Sequence, residues 1–249
     1  MIKRQWFLRG FAGIGLLALT AASAGAQVVQ VSRGDSRHSI NFNFGGFFPL
    51  GEDSRIPDDA DDFLDDVLVA NREVLAFDIN DFRQVTFGAD YLFGLGDFLE
   101  GGVGVGYYQK TVASVYRDVT YDSGAEIEQD LKLRIVPITA TIRFLPLGRG
   151  AAVEPYVGGG IGIYPFKYSE IGDFVDFRDD SIYSARFVKS GTAVGPVLLG
   201  GIRVPVGDAL ALGGELRWQK ASGDLNDDFL AEKINLGGTT ANFTIQFKF

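Results

Sequence analysis

The chain has 249 residues, enough for one barrel-sized β domain or two small domains, and no cysteine, which excludes disulfides, thiolate metal sites and a cysteine nucleophile. Its 32 acidic and 23 basic residues give a formal net charge of −9, and with no local basic patch in the sequence this charge argues against nucleic acid binding. The 33 glycines and 21 phenylalanines are typical of a turn-rich, aromatic-rich β protein.

The N-terminus has the three parts of a secretory signal peptide. A positive region (Lys3, Arg4 and Arg9) precedes the apolar segment 11–22, and Ala24-Gly25-Ala26 matches a small-residue cleavage site. The alternative, a membrane anchor, is disfavoured because this segment is shorter than the roughly 20 residues that span a bilayer. We therefore predict a signal peptide at 1–26, a short segment at 27–37 and one domain at 38–249. The mature chain keeps 20 basic against 32 acidic residues, a net charge of −12.

Eight segments after residue 37 alternate between apolar and polar residues with the period of a β-strand. They lie near 38–48, 84–93, 98–114, 130–144, 152–166, 188–206, 209–220 and 233–249. In the fourth segment Leu131, Leu133 and Ile135 are out of phase with Ile138 and the alternate residues after it. This shift predicts a β-bulge at Val136-Pro137.

A soluble β-sandwich alternates as well, so the connections decide between the two architectures. Short connections (94–97, 147–150 and 207–208) alternate with long charged ones (49–82, 115–129, 167–187 and 221–232). Short turns at one end and long loops at the other are typical of an outer-membrane barrel. Aromatic residues near the strand ends fit two interfacial girdles: Phe48, Tyr91, Phe93, Phe144, Tyr164, Trp218 and Phe247.

The last nine residues, ANFTIQFKF (241–249), place phenylalanines and Ile245 on one side and Thr244, Gln246 and Lys248 on the other. A barrel in lipid leaves no unpaired edge, so this strand is expected to close against the first, with its apolar side toward hydrocarbon. Its lumen-facing side is then the polar one.

These features, with PYVGGGIGIYPF (155–166), VGPVLLGGIRVP (194–205) and ALALGGELRWQK (209–220), resemble the small eight-stranded outer-membrane barrels of OmpA or OmpW type over residues 38–249. The resemblance implies an all-β, antiparallel, up-and-down transmembrane barrel, with long extracellular loops and short periplasmic turns, in the outer membrane of a Gram-negative-type envelope. It also implies a monomer whose partners are outer-membrane lipid and, during biogenesis, the barrel-assembly machinery. The terminal residues that this machinery would read are Phe243, Ile245, Phe247 and Phe249.

Seven charged residues are expected to point into the lumen and form an ion-pair network, five of them close to the short-turn end: Asp90, Glu100, Arg143, Glu154, Arg203, Glu215 and Arg217. Since buried charges must be paired and a narrow barrel is filled by side chains, a structural role is preferred to a gated solute path.

The glycine-rich stretches 101–106 and 158–162 lie within strand patterns, so we reject a nucleotide-binding loop. Small residues there make room for larger lumenal side chains. The single histidine, His38, is the one imidazole that a lipid-modifying enzyme of this fold could use. It starts the first strand, far from the outer leaflet, and a solvated histidine is preferred.

The first loop, 51–81, holds 11 acidic residues against Arg55 and Arg72. Within it, apolar residues at helical spacing follow Pro57 and predict an amphipathic surface helix over the barrel mouth. Six aspartates are clustered in this loop: Asp58, Asp59, Asp61, Asp62, Asp65 and Asp66. They could recruit a divalent cation, although a solvated acidic face is preferred.

The sequence thus predicts an outer-membrane barrel with a structural or surface-interaction role and a filled lumen. A narrow, porin-like channel for small or hydrophobic solutes is the alternative, and a lipid-modifying enzyme is a distant third. We expect no enzymatic activity, cofactor, metal or nucleic acid partner, and the extracellular ligand is not identified by the sequence.

Overall fold

The computed structural model describes residues 37–52, 55 and 66–249, so the predicted signal peptide and its cleavage site lie outside the described residues. One α-helix, α1 (Val67–Val74), and a short 3-10 helix (Ile79–Phe82) follow the first strand. The strands are β1 (His38–Pro49), β2 (Gln84–Gly94), β3 (Leu99–Thr120), β4 (Glu126–Ile135), β5 (Ile138–Phe144), β6 (Glu154–Asp176), β7 (Ser181–Pro205), β8 (Leu210–Gln219), β9 (Ser222–Asp224), β10 (Lys233–Asn235) and β11 (Gly238–Lys248).

The sheet closes into an antiparallel ring with eight strand positions. β1 pairs with β2 on one side and with β11 on the other, in register from Ser39 opposite Lys248 to Pro49 opposite Gly238. β4 and β5 share one position, since both pair with β3 and with β6. The closing strand was expected to be the last one, and the predicted eight-stranded up-and-down barrel is confirmed.

The wall is interrupted between β4 and β5, where the sequence predicts a bulge. Pro137 has no backbone N–H to donate to a neighbouring strand. The Pro137 carbonyl accepts from the Gly106 N–H at 2.8 Å, and the Val136 N–H donates to the Pro165 carbonyl at 2.9 Å. The interruption shifts the phase of the alternation: Ile135 is buried inside the barrel, whereas Ile138 faces outward.

A belt of exposed apolar side chains surrounds the half of the barrel that carries the short turns. It includes Phe42, Phe44, Phe87, Val103, Val105, Ile142, Val157, Ile161, Leu198, Ile202, Leu216 and Phe243. The apolar outward positions run from Val194 on β7 to Val206, the residue after this strand, which corresponds to about 30 Å along the membrane normal after strand tilt. This height and composition match a hydrocarbon layer, so the fold is a transmembrane barrel.

One of the predicted girdle residues is not on the outer surface. Tyr164 is fully buried and faces the lumen. Its neighbours on β6 explain the error, because Ile163 is exposed, and successive side chains of a strand point to opposite faces. The other six predicted girdle residues are on the outward face of their strands.

Four strands extend well beyond the belt: β3, β4, β6 and β7. The prediction of long loops at 115–129 and 167–187 is therefore wrong. The connection between β3 and β4 is only 121–125, and that between β6 and β7 is only 177–180. Outside the membrane the outward positions face water and are polar. The sequence of these strand extensions therefore resembles that of a charged loop. The inward positions stay apolar, as Val112, Leu131 and Tyr168 show by their burial.

The long-loop end is filled by its own loops. α1 is buried among inward-facing residues of the extended strands, with Val67 and Leu68 inaccessible to solvent, rather than lying on the surface as predicted. The β9–β10 hairpin between β8 and β11 contributes Phe229, whose ring lies 5.5 Å from that of Tyr168. We call α1 and this hairpin the mouth plug. No helix among the described residues is long and apolar enough to cross a membrane.

Candidate functional site

The structure brings all seven charged residues proposed for the lumen together, in two adjoining clusters. The lower cluster, nearest the short turns, centres on Arg203 of β7. Its Nη1 and Nη2 donate to the two carboxylate oxygens of Glu100, at 2.9 and 2.7 Å, and its Nε donates to Glu154. Lys248 of the closing strand lies 3.4 Å from Glu154 and adds a second cation.

The upper cluster joins two carboxylates to two guanidinium groups in a ring. Arg217 Nη2 lies 3.1 Å from Asp90 and 2.8 Å from Glu215, and Arg143 Nη2 lies 3.3 and 3.1 Å from the same two carboxylates. The ring is electrically neutral. Arg143 and Glu215 are both buried, and such charges persist in a low-dielectric interior only when they are paired.

Uncharged side chains complete both clusters. Tyr156 lies between them: its hydroxyl donates to Glu215 at 3.1 Å, while the guanidinium groups of Arg143 and Arg203 lie 5.1 and 5.7 Å from its ring centre. Asn43 of β1 donates to Asp90 at 2.8 Å. The network therefore reaches from the closing strand across the lumen.

The lumenal glycines make room for these side chains, as predicted. A Cβ at Gly104 would collide with the Asp90 carboxylate, and a Cβ at Gly162 would collide with the Tyr164 ring. Both glycines lie within strands, β3 and β6, where they allow large residues on the neighbouring positions to cross the narrow interior.

The mouth plug is held by one buried aspartate. Asp66 caps α1 by accepting from the Leu68 N–H at 3.0 Å, and it accepts from the Asn235 N–H of β10 at 2.6 Å. Its carboxylate also pairs with Arg55, whose Nε donates to the Leu50 carbonyl at 2.9 Å. Asp66 thus ties the helix to the end of β1 and to the second element of the plug.

A second buried carboxylate, Glu170 of β6, lies under α1 without a cation as partner among the described residues. Its Oε1 accepts from Asn71 at 2.6 Å and from the Tyr168 hydroxyl at 2.9 Å. Burial raises the pKa of Glu170 above its ordinary value. The two hydrogen bonds lower this pKa, but their effect is smaller than that of burial. Burial and the adjacent Glu170 also raise the pKa of Tyr168 well above its usual range.

The sign of this shift sets how Glu170 affects stability. The folded state binds the proton of the Glu170 carboxyl more tightly than the unfolded state does. Proton binding therefore stabilises the folded state fully below the unfolded pKa, and this stabilisation is lost as the pH rises through the folded pKa. Ionisation of Glu170 as the pH rises therefore weakens the packing of α1 on β6. It lies in the aqueous part of the barrel, beyond the apolar belt.

A pocket of about 220 Å³ opens beside Glu170 at the long-loop end. Its lining includes six aromatic and three acidic residues: Tyr116, Phe174, Phe177, Tyr183, Phe187 and Phe229, with Glu170, Asp227 and Asp228. This is the concave surface of the mouth into which a small apolar group could enter.

The other predicted positions are not assembled into a site. His38 starts β1 at the short-turn end, and its Nδ1 lies 2.7 Å from the Tyr91 hydroxyl. The proposed cation-binding aspartates 58, 59, 61, 62 and 65 lie outside the described residues, whereas Asp66 is committed to Arg55 and to the cap of α1. Among residues 37–52, 55 and 66–249, no group of three or more potential metal ligands is present.

The terminal residues proposed as the assembly signal follow the expected parity. Phe243, Phe247 and Phe249 are exposed on the outer surface, and Ile245 lies on the same face. Phe249 also stacks on His38, with ring centres 6.5 Å apart, so the end of the chain contacts the start of the first strand.

Three solved structures to which the chain is similar are small outer-membrane barrels. They are OprG of Pseudomonas aeruginosa (14% identity, 87% of this chain and 98% of that chain, TM-score 0.44), Neisserial surface protein A (12%, 86% and 97%, 0.44) and AlkL (17%, 92% and 94%, 0.38). No protein-family model and no curated relative matches the chain. The assignment of the fold rests on the closed strand pairing.

Several residues of these clusters were not predicted as site residues. Tyr156 and Asn43 lie within segments chosen for their alternation, and Lys248 was assigned to the lumen but not to the network. Their parity was the only available signal. Glu170 and Asn71 come from segments interpreted as a loop and a surface helix, so no pattern in the sequence placed them together.

Proposed function

We propose that this protein is an outer-membrane barrel without a conducting lumen, which displays its long-loop end at the cell surface for a structural or interaction role. The single observation that supports the proposal is that each half of the barrel interior contains its own set of packed side chains. The two ionic clusters occupy the membrane-spanning half, and the mouth plug with its apolar contacts occupies the aqueous half.

The acidic first loop and the short turns give the proposed orientation. Short turns at one end and longer, charged connections at the other are the usual arrangement of barrels whose loops face outward. The mouth plug would then lie on the external side, and the terminal residues Phe247 and Phe249 would lie near the periplasmic side, where assembly begins.

Conductance of the purified mature protein in a planar bilayer tests this function. We expect no discrete current steps from the wild-type barrel. The matched variant Arg55→Ala/Asp66→Ala removes the ion pair that holds α1 and should leave the ionic clusters unchanged. Steady conductance of the wild type would overturn the proposal, and a change of that current in the variant would show that it passes the mouth plug.

The alternative, a narrow path for small or hydrophobic solutes, is favoured only by the aromatic pocket beside Glu170. Uptake of an apolar fluorescent dye into liposomes that contain the barrel separates the two functions, since an uncharged solute carries no current. Dye uptake that is lost on Phe229→Asp but retained in Leu147→Asp, an exposed leucine of a short turn outside the pocket, would favour the solute path. We expect uptake to equal that of protein-free liposomes.

A further inference from the structure

Four cations from three strands meet on the outer wall, immediately beyond the apolar belt. Lys132 and Arg134 of β4, Lys167 of β6 and Arg186 of β7 line a groove of about 120 Å³ together with Gln109, Ser169 and Ile171. We call these four cations the basic patch. The sequence shows no local basic patch, because its members are separated by up to 54 residues and are assembled only by strand pairing.

The register places like charges side by side. Arg134 lies directly opposite Lys167 on neighbouring strands, and Lys132, two residues from Arg134 on the same face, lies opposite Ser169. Directly opposed like charges destabilise an antiparallel pair. Among residues 37–52, 55 and 66–249, no carboxylate lies within ion-pair distance of any of the four cations. The protein therefore does not neutralise this repulsion with its own described side chains.

The position of the basic patch indicates which anion does so. Lys167 follows Ile163 and Pro165 on the outward face of β6, and Gln109 follows Tyr107 on β3, so the patch begins where the belt ends. The acidic outward residues of β4 (Glu126, Glu128 and Asp130) are farther from the membrane than Lys132. Cations next to the hydrocarbon and acids farther out match a layer of anionic lipid headgroups.

We propose that the basic patch binds the phosphate groups of an anionic lipid in the membrane leaflet at the long-loop end. Long basic side chains reach the headgroup level while their stems lie along apolar surface. A phosphate between Arg134 and Lys167 would accept hydrogen bonds from both and remove their repulsion. Because the mature chain has a net charge of −12, an anionic lipid would be held at this patch and not around the whole barrel.

Binding of fluorescently labelled, bisphosphorylated lipid A to the purified mature barrel in nonionic detergent, followed by anisotropy, tests the proposal. Each interfacial cation strengthens binding about fivefold, so Arg134→Gln/Lys167→Gln should weaken binding about 30-fold. The charge-keeping variant Arg134→Lys/Lys167→Arg should bind within about threefold of the wild type. Heat-dependent gel mobility checks that each variant is folded.

The matched control is Arg83→Gln/Lys220→Gln, which removes two exposed cations away from the patch. Equal loss of lipid A binding in this control and in Arg134→Gln/Lys167→Gln would overturn the proposal, as nonspecific attraction would then explain binding. Equal binding of a phosphate-free lipid A analogue would overturn it as well. Complete competition by millimolar inorganic phosphate would show that the ligand is a soluble anion rather than a lipid.

Discussion

Two adjacent residues of β8 face different solvents, and substituting each one tests the assignment of both faces. Glu215 is buried in the upper cluster with 2% of its surface exposed, whereas Leu216 is 61% exposed on the outer belt. They share nearly the same depth in the membrane. Glu215→Gln changes the charge balance of the lumen by one unit, and Leu216→Arg places one charge in hydrocarbon.

The two substitutions are expected to act by different mechanisms. Leu216→Arg should cost about 2 kcal/mol or more, since arginine on the lipid face costs about 2–4 kcal/mol near the bilayer midplane. Glu215→Gln removes a carboxylate shared by Arg143 and Arg217 and leaves both guanidinium groups to Asp90. Removing one partner of a buried pair costs about 3–5 kcal/mol.

A double-mutant cycle separates these mechanisms. Glu215→Gln/Arg217→Gln restores neutrality in the upper cluster, so its cost should be smaller than the sum of the single costs by about 1–3 kcal/mol. Leu216→Arg should be additive with Arg217→Gln, because the two side chains point to opposite faces. The free energy of unfolding is measured by urea titration in lipid vesicles, and Trp218 is the only tryptophan after residue 26 and reports the transition.

Additivity of Glu215→Gln with Arg217→Gln would refute the ionic ring, and unchanged stability of Leu216→Arg would refute the lipid-facing parity of β8.

Three further predictions concern the N-terminus, the first loop and Glu170 of β6. Sequencing of the membrane-extracted protein should find Gln27 at the N-terminus, and an intact Met1 would contradict export through a cleaved signal peptide. Protease added to intact cells should cut within 51–81 but outside α1, which is buried; cleavage only after the outer membrane is permeabilised would reverse the proposed orientation. Glu170→Gln should stabilise the barrel at neutral pH, and it should remove the decline in stability that begins as the pH rises above the ordinary glutamate pKa. Urea unfolding at several pH values measures this decline. A pH profile equal to that of the wild type would show that the carboxylate does not titrate under α1.

The parity of the strands could be predicted from the sequence because lipid and lumen impose opposite chemistry on alternate residues. The same rule fails where the outer solvent changes from lipid to water. Beyond Tyr107 on β3 the outward residues are Gln109, Thr111 and Ala113, so the strand pattern weakens although pairing with β4 continues to Val115. The strands were therefore ended too early.

The partners within the charged network could not be predicted, because side chains in a narrow barrel reach across the lumen. Arg143 lies directly opposite Glu100 in the register, yet it bonds with Asp90 and Glu215. Glu100 instead pairs with Arg203, whose strand is not its neighbour. Strand parity thus identifies which charges enter the lumen, and only the three-dimensional arrangement shows which pairs form.

The barrel reverses its chemical pattern at the edge of the apolar belt. Below the edge, as at Leu216 and Glu215, the outside is apolar and the inside is polar; above it, as at Lys132 and Leu131, the outside is polar and the inside is apolar. The aqueous half can be stabilised by the hydrophobic effect, because its outer solvent is water, while the membrane half must rely on hydrogen bonds, ion pairs and packing. α1 buries Val67 and Leu68 only in the aqueous half, where apolar burial is favourable. The basic patch lies at the reversal itself, where outward cations can reach the headgroup layer while the wall behind them is already a packed apolar core.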